Sequence, residues 1–273
     1  MQWVESDGVR LNTLCIGSGP LLVMCHGLVT ANLATWYLSA APALARRYQV
    51  VLYDMRGHGK SDLAATGYDL DTMARDLARV ILAYQPRHAT EHSAKVALVG
   101  HSYGALTALH YALQRPRSVA RLALIDAPLP AVYYVRPALV DVDSPAALEQ
   151  HFSGEPEGRA RRDSRQWRRA RARLEFLILR SSLREDLQTA VDVPDERLRA
   201  LNVPTLCLYG TRSDCAVAGN RLASLLPRAT LRWMDCGHFV PTQAPAAMTE
   251  HLLAYFAPDL TEVRDHAVKH VSG

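Results

Sequence analysis

The chain has 273 residues, 49% apolar and 21% charged, with a formal net charge of +4; this is enough for one large domain or two small ones, and the balance excludes a disordered or collagen-like chain. No apolar run approaches the ~18–20 residues of a membrane-spanning helix. The five cysteines (Cys15, Cys25, Cys207, Cys215 and Cys236) are scattered and form no C-x-x-C pair, which argues against a zinc site and a disulfide framework.

From the start of the chain, MQWVES and VRLNTLCIGS flank Asp7-Gly8 and predict a β-hairpin. The same stretch lacks the basic-then-apolar order of a secretory signal, so a reducing cytoplasm is the expected compartment. PLLVMCHG is a short apolar run closed by glycine and predicts a buried strand. Residues 33–47 place Leu33, Trp36, Tyr37, Ala40 and Leu44 at helical spacing, and YQVVLYD is the next strand. Asp69 stands where it can cap a helix whose Leu70, Met73, Leu77, Val80, Ile81 and Tyr84 share one face. KVALVG is a strand, 103–115 a helix and ARLALIDAP a strand. TLCLYG and ATLRWMD are the last strands, with a helix around 216–226 between them and another over 244–257. From Pro258 the chain reads as a loose tail.

Strand and helix alternate, which predicts an α/β fold: a mostly parallel sheet with helices on both faces and an antiparallel hairpin at one edge. Residues 131–203 break the rhythm. They hold no convincing strand, but Trp167, Ala170, Leu174, Leu177 and Ile178 make a helical stripe. This predicts a core of 1–130 and 204–273, with 131–203 inserted as a helical cap.

Ligands of open parallel sheets bind beyond the carboxyl ends of the strands. At those ends lie His26 and Gly27, then MRGHGKSD, then Gly100-His101-Ser102-Tyr103-Gly104, then Asp126, Asp214 and His238. A serine hydroxyl becomes a nucleophile when a histidine takes its proton, and the histidine needs a carboxylate to fix its tautomer. Serine, acid and histidine on one edge meet that requirement. Ser102 alone would read as a helix cap, and His238 alone as a packed histidine. Glycines two before and two after Ser102 allow the tight strand-to-helix turn that exposes the hydroxyl.

CHG at 25–27, DMRGHGKSD at 54–62, GHSYG at 100–104, YGTRSD at 209–214 and CGHF at 236–239 together resemble the α/β-hydrolase superfamily. The resemblance covers about 1–130 and 204–257. It implies an α/β-hydrolase fold, with Ser102 as nucleophile, His238 as general base and Asp214 as orienting acid. It also implies an oxyanion hole from the Leu28 and Tyr103 amides. The family's acid usually follows its strand-end glycine by about three residues, whereas Asp214 follows Gly210 by four. Asp126 is therefore the reserve acid; Asp214 is preferred because Asp126 is followed by Pro128 and can simply end its strand. RGHG at 56–59 reads as a structural turn, His26 as a brace of the oxyanion loop, and Cys215 and Cys236 as buried small residues. No metal or organic cofactor is expected.

The expected activity is hydrolysis of a carboxylic ester or thioester through an acyl-enzyme. A C–C bond hydrolase, a lyase or another cofactor-free enzyme on the same triad is the first alternative; a non-catalytic ligand-binding protein of the same fold is the second. The net charge comes from residues 155–173, with eight arginines against three acids. A solvated helix face is one reading of it. The others are reception of an anionic substrate, such as a carboxylate or coenzyme A thioester, and docking of an acidic acyl-carrier protein. Nucleic acid is not expected, because no basic stripe with interleaved aromatics appears. Tyr133, Tyr134 and Trp167 are candidate pocket-lining residues.

Overall fold

The computed structural model describes residues 2–29, 31–85, 95–131, 142, 144, 146–148 and 165–257. β1 (Gln2–Ser6) and β2 (Val9–Ile16) form the expected hairpin. Asp7 and Gly8 both have positive φ, 49° and 76°, as a two-residue hairpin turn of matching twist requires. β3 (Leu21–Cys25), β4 (Gln49–Tyr53), β5 (Val96–His101), β6 (Val119–Ile125), β7 (Thr205–Gly210) and β8 (Ala229–Met234) complete one sheet. Its order is β1-β2-β4-β3-β5-β6-β7-β8, antiparallel as far as β4 and parallel from there on.

The central strands are continuous apolar runs because both of their faces are covered. Alternate residues go to opposite sides. Val23, Val51, Leu98, Leu122 and Tyr209 meet α3 (Leu70–Tyr84), α4 (Tyr103–Gln114) and α8 (Ala216–Leu225). Leu22, Leu52, Val99, Ile125 and Leu208 meet α1 (Ala34–Tyr37), α2 (Ala41–Leu44) and α10 (Pro245–Tyr255). Leu22, Leu52, Leu98 and Leu208 are fully buried, and truncating such a side chain to alanine costs about 2–5 kcal/mol.

Asp69 caps α3 as expected: its carboxylate accepts from the Thr72 amide at 2.9 Å and from the Thr72 hydroxyl at 2.7 Å. One expected helix is split. Residues 33–47 form α1 and α2, because Pro42 has no N–H to give a continuing helix and starts a new one instead. The helix expected over 244–257 is present as α10, and a short α9 (Val240–Gln243) precedes it; each has a proline in its first turn.

Between β6 and β7 the described residues include α5 (Arg165–Leu179), α6 (Leu183–Gln188) and α7 (Asp195–Arg199). The apolar stripe of α5 holds at one end only: Leu177 and Ile178 are buried and Leu174 half-buried, but Ala170 is exposed. These helices are tied to the loops after β4. Arg173 donates to the Gly57 and Ser61 carbonyls at 3.1 and 2.9 Å, and Ser182 N to Ala65 O at 2.8 Å. Asp186 accepts from Tyr68 N at 2.8 Å. Tyr133, Tyr134, the Trp167 side chain, residues 155–164 and the tail from Pro258 lie outside the described residues. Among the described residues, no helix is long and apolar enough to cross a membrane.

Candidate active site

Ser102 stands alone between β5 and α4, with φ 54° and ψ −126°. This backbone region is nearly confined to glycine, so its occupation by serine costs of order 1–3 kcal/mol. Two features hold it there. Ser102 N donates to Ile125 O at 2.9 Å, and its own carbonyl accepts from Ala105 N at 2.9 Å. The flanking glycines let backbone lie directly on backbone. A Cβ on Gly100 would come within 2.3 Å of Gly104 O, and one on Gly104 within 2.3 Å of His26 O. This close packing explains the G-x-S-x-G spacing. It also turns the N-terminus of α4, with its unpaired N–H groups, toward the serine.

His238 follows β8, just ahead of α9. Its Nδ1 lies 2.7 Å from Asp126 Oδ2 and its Nε2 lies 2.9 Å from Ser102 Oγ. An ionised carboxylate only accepts, so Nδ1 carries the proton and Nε2 is left to accept from the serine hydroxyl. The histidine is partly open to solvent, while Asp126 is fully buried.

The carboxylate thus comes from Asp126 and not from Asp214, which is a correction to the preferred sequence reading. Asp126 directly follows β6, which lies next to β5 in the sheet, and has φ 48°. Its Oδ1 accepts from Gly210 N at 2.8 Å, and its Oδ2 also accepts a short bond from Ser213 Oγ. The loop after β7 therefore delivers Ser213 to the cluster, and Asp214, one residue on, faces solvent.

Tyr103 follows Ser102 in the chain, and Leu28 follows Gly27 in the loop after β3. A Cβ on Gly27 would come within 3.2 Å of Ser102 Cβ, so the loop after β3 is pressed against the serine. Among the described residues, neither the Leu28 amide nor the Tyr103 amide has a hydrogen-bond partner.

Three buried histidines surround this centre, and sequence reasoning gave only His26 a supporting role. His26 Nδ1 lies 2.6 Å from Gly27 O, and its Nε2 accepts from Met55 N at 3.0 Å. His58 Nδ1 lies 2.8 Å from Arg56 O. His101 Nε2 lies 2.9 Å from the His238 carbonyl, and the two rings are 5.2 Å apart. Burial disfavours the charged form of each. It pulls His26 down to about 4, His58 to about 3 and His101 to about 4.

Among the described residues, Asp126, Cys215 and His238 alone bring ligand-type atoms close enough for an ion, within 4.8 Å of one another. His238 Nδ1 and Asp126 Oδ2 are already bonded to each other there. Cys215 Sγ lies 3.6 Å from His238 Nδ1, and burial, followed by the Asp126 charge, raises its thiol well above the usual range. The cluster has the chemistry of a proton relay, with a neutral thiol beside it.

A family model described as alpha/beta hydrolase fold matches residues 20–245. The soluble epoxide hydrolase of Corynebacterium sp. (strain C12) is 25% identical over 291 residues, spanning 92% of this chain and 95% of that protein. The polyketide synthase ThaQ of Burkholderia thailandensis is 30% identical over 275 residues, spanning 91% of this chain but 12% of the synthase. Among solved structures, an N-acyl homoserine lactone degrading enzyme aligns with a TM-score of 0.71 at 25% identity, covering 93% of this chain and 99% of that one.

Proposed function

The chain belongs to the alpha/beta hydrolase fold family, and on that premise we propose that it hydrolyses a carboxylic ester or thioester through an acyl-enzyme on Ser102. The observation that carries the reading is the continuous relay from Ser102 Oγ through His238 to Asp126, with bonds of 2.9 and 2.7 Å. Ser102 Oγ attacks the acyl carbon as its proton passes to His238 Nε2. The imidazolium is stabilised by Asp126, and it then gives the proton to the departing alcohol or thiol. Water attacks the acyl-enzyme with His238 as base, releasing the acid and restoring the serine.

The negative charge that develops on the carbonyl oxygen falls to the Leu28 and Tyr103 amides. Removing one such donor typically costs ~2.7–4 kcal/mol of barrier. Asp126 takes the role of orienting acid in this mechanism. The helices between β6 and β7 act as a cap over this edge of the sheet. The exposed Arg168, Arg169 and Arg171 of α5 make that cap a receiving surface for an anionic acyl donor, such as a coenzyme A or carrier-linked thioester.

The likeness to an epoxide hydrolase does not extend to its chemistry in this reading. Attack of a serine on an epoxide carbon would leave an ether, which His238 and water cannot cleave. Attack on an acyl carbon leaves an ester, which they can. The lactone-degrading enzyme is a relative whose named substrate class fits that requirement.

The test is intact-mass analysis after exposure to a fluorophosphonate, beside Ser102→Ala. One adduct on the parent and none on the variant is expected, followed by turnover of free, coenzyme A and carrier-linked acyl donors. A folded parent that takes no adduct and cleaves no ester would instead mark a ligand-binding protein. Ester turnover that survives Ser102→Ala would overturn the mechanism.

A further inference from the structure

We propose that His58, paired with His26, is a positioning residue that aims the Leu28 amide at the substrate oxyanion. The inference rests on the oxyanion role given to Leu28 above. Two peptide planes flank Leu28. The first holds the Gly27 carbonyl and the Leu28 N–H, which point in opposite directions in a trans peptide. His26 Nδ1 donates to that carbonyl at 2.6 Å and so fixes the direction of the amide. The second plane holds the Val29 N–H, which donates to His58 Nε2 at 2.8 Å.

Val29 needs that hold. Its φ is 72°, in the left-handed region, where a β-branched residue is an outlier. Such a conformation persists where the surroundings over-determine it. His58 is well suited to the task. Its Nδ1 donates to Arg56 O at 2.8 Å, and since a carbonyl only accepts, the proton is on Nδ1 and Nε2 is an obligatory acceptor. The ring is 1% exposed and packs 5.2 Å from the His26 ring. Arg173 of α5 also holds the same loop, through the Gly57 and Ser61 carbonyls. Two neutral imidazoles therefore hold the residues on both sides of Leu28, and the Leu28 amide stays unengaged.

The variants separate this role from mere support. His58→Asn can still donate to Arg56 O but is too short to reach Val29 N. His58→Gln places an amide oxygen where Nε2 stands. A misaimed donor should cost kcat about 10- to 100-fold in His58→Asn, a fraction of the loss of a whole donor. KM should change less than about threefold, since the interaction strengthens only in the transition state. The rate of Ser102 phosphonylation should fall in parallel, and His58→Gln should recover most of both. In a Val29→Gly background, glycine takes the turn unaided, so His58→Asn should cost much less there. A folded His58→Asn with parental kcat would overturn the proposal, as would equal losses in both backgrounds.

A further readout needs neither variants nor substrate. The Val29 amide should exchange slowly with solvent in the parent. Rapid exchange there would overturn the brace even if His58→Asn failed to fold. A folded parent that takes no adduct and cleaves no ester, yet protects the Val29 amide, would instead sink the acyl-enzyme reading and leave the hold on the Val29 turn standing without its oxyanion role.

Discussion

Asp126 orients a histidine because it cannot itself move. Its two oxygens take the Gly210 amide, the Ser213 hydroxyl and His238 Nδ1, and no water reaches them. Asp126→Asn presents an amide to the ring and favours the wrong tautomer, so kcat should fall roughly 10⁴-fold at neutral pH. Asp214→Asn should leave ester turnover within about threefold of the parent, because an exposed charge outside the relay is weakly felt. Steady-state kinetics on one ester decides between them; a collapse in Asp214→Asn with Asp126→Asn spared would reverse the assignment. The strand-end pattern alone had narrowed the acid to these two. The family spacing from Gly210 lands on Ser213, a residue that cannot be the acid. That mismatch was the signal that the carboxylate comes from the neighbouring strand. Ser102 and His238 were legible because their local motifs carry their own geometry. The hydrogen bonds of His58 and His101 were not, since their partners lie 29 and 137 residues away.

Elements were legible where burial is uniform along them. β3, β5 and β7 show as unbroken apolar runs, and the apolar stripe of α3 repeats at helical spacing. Periodicity failed where a polar residue is buried for a long-range partner. Asp76 lies on α3 yet is buried, bonded through both oxygens to Arg56 at 2.8 Å. Arg56 spends a further N–H on Thr66 O at 3.1 Å, so this one pair fixes the loop after β4 to α3. Both side chains are about 5% exposed or less. Asp76→Ala would leave a guanidinium buried without its counter-charge, which costs about 3–5 kcal/mol. Urea unfolding should show that loss as a lower midpoint at an unchanged slope. A loss under about 1 kcal/mol would mean that Arg56 turns to solvent, as surface pairs do. The loop it holds also carries His58, so the variant's ester turnover should fall before its fold is lost.

At the scale of the whole molecule, the same three imidazoles, buried among the described residues, make stability sensitive to acid. His26, His58 and His101 cluster at the carboxyl edge of the sheet, and burial holds them at about 4, 3 and 4 against an ordinary 6.5. Above pH 7 they are neutral whether the chain is folded or not, so they add no pH dependence. As pH falls below 6.5 the unfolded chain takes up protons that the folded one refuses. The unfolded state then binds more protons, and unfolding free energy declines with falling pH. Each histidine contributes up to about 1.4 kcal/mol per pH unit between pH 6.5 and its folded value. Below about pH 3 the folded protein accepts the protons too, and the term levels off. Carboxylates add to acid loss, but chiefly below about pH 5, near their own ordinary values. The window from pH 6.5 to 5 therefore belongs to the histidines. Chemical denaturation across that window should show stability falling with net uptake of two to three protons on unfolding, roughly the number of buried imidazoles among the described residues. His58→Gln, which cannot titrate, should remove one proton from that count even if its stability at pH 7.5 is lower. A flat profile between pH 6.5 and 5, or an unchanged count in His58→Gln, would mean that the rings are protonated in the folded state. Val29 N could not then donate to His58 in that pH range, and mild acid would release the brace at the oxyanion loop.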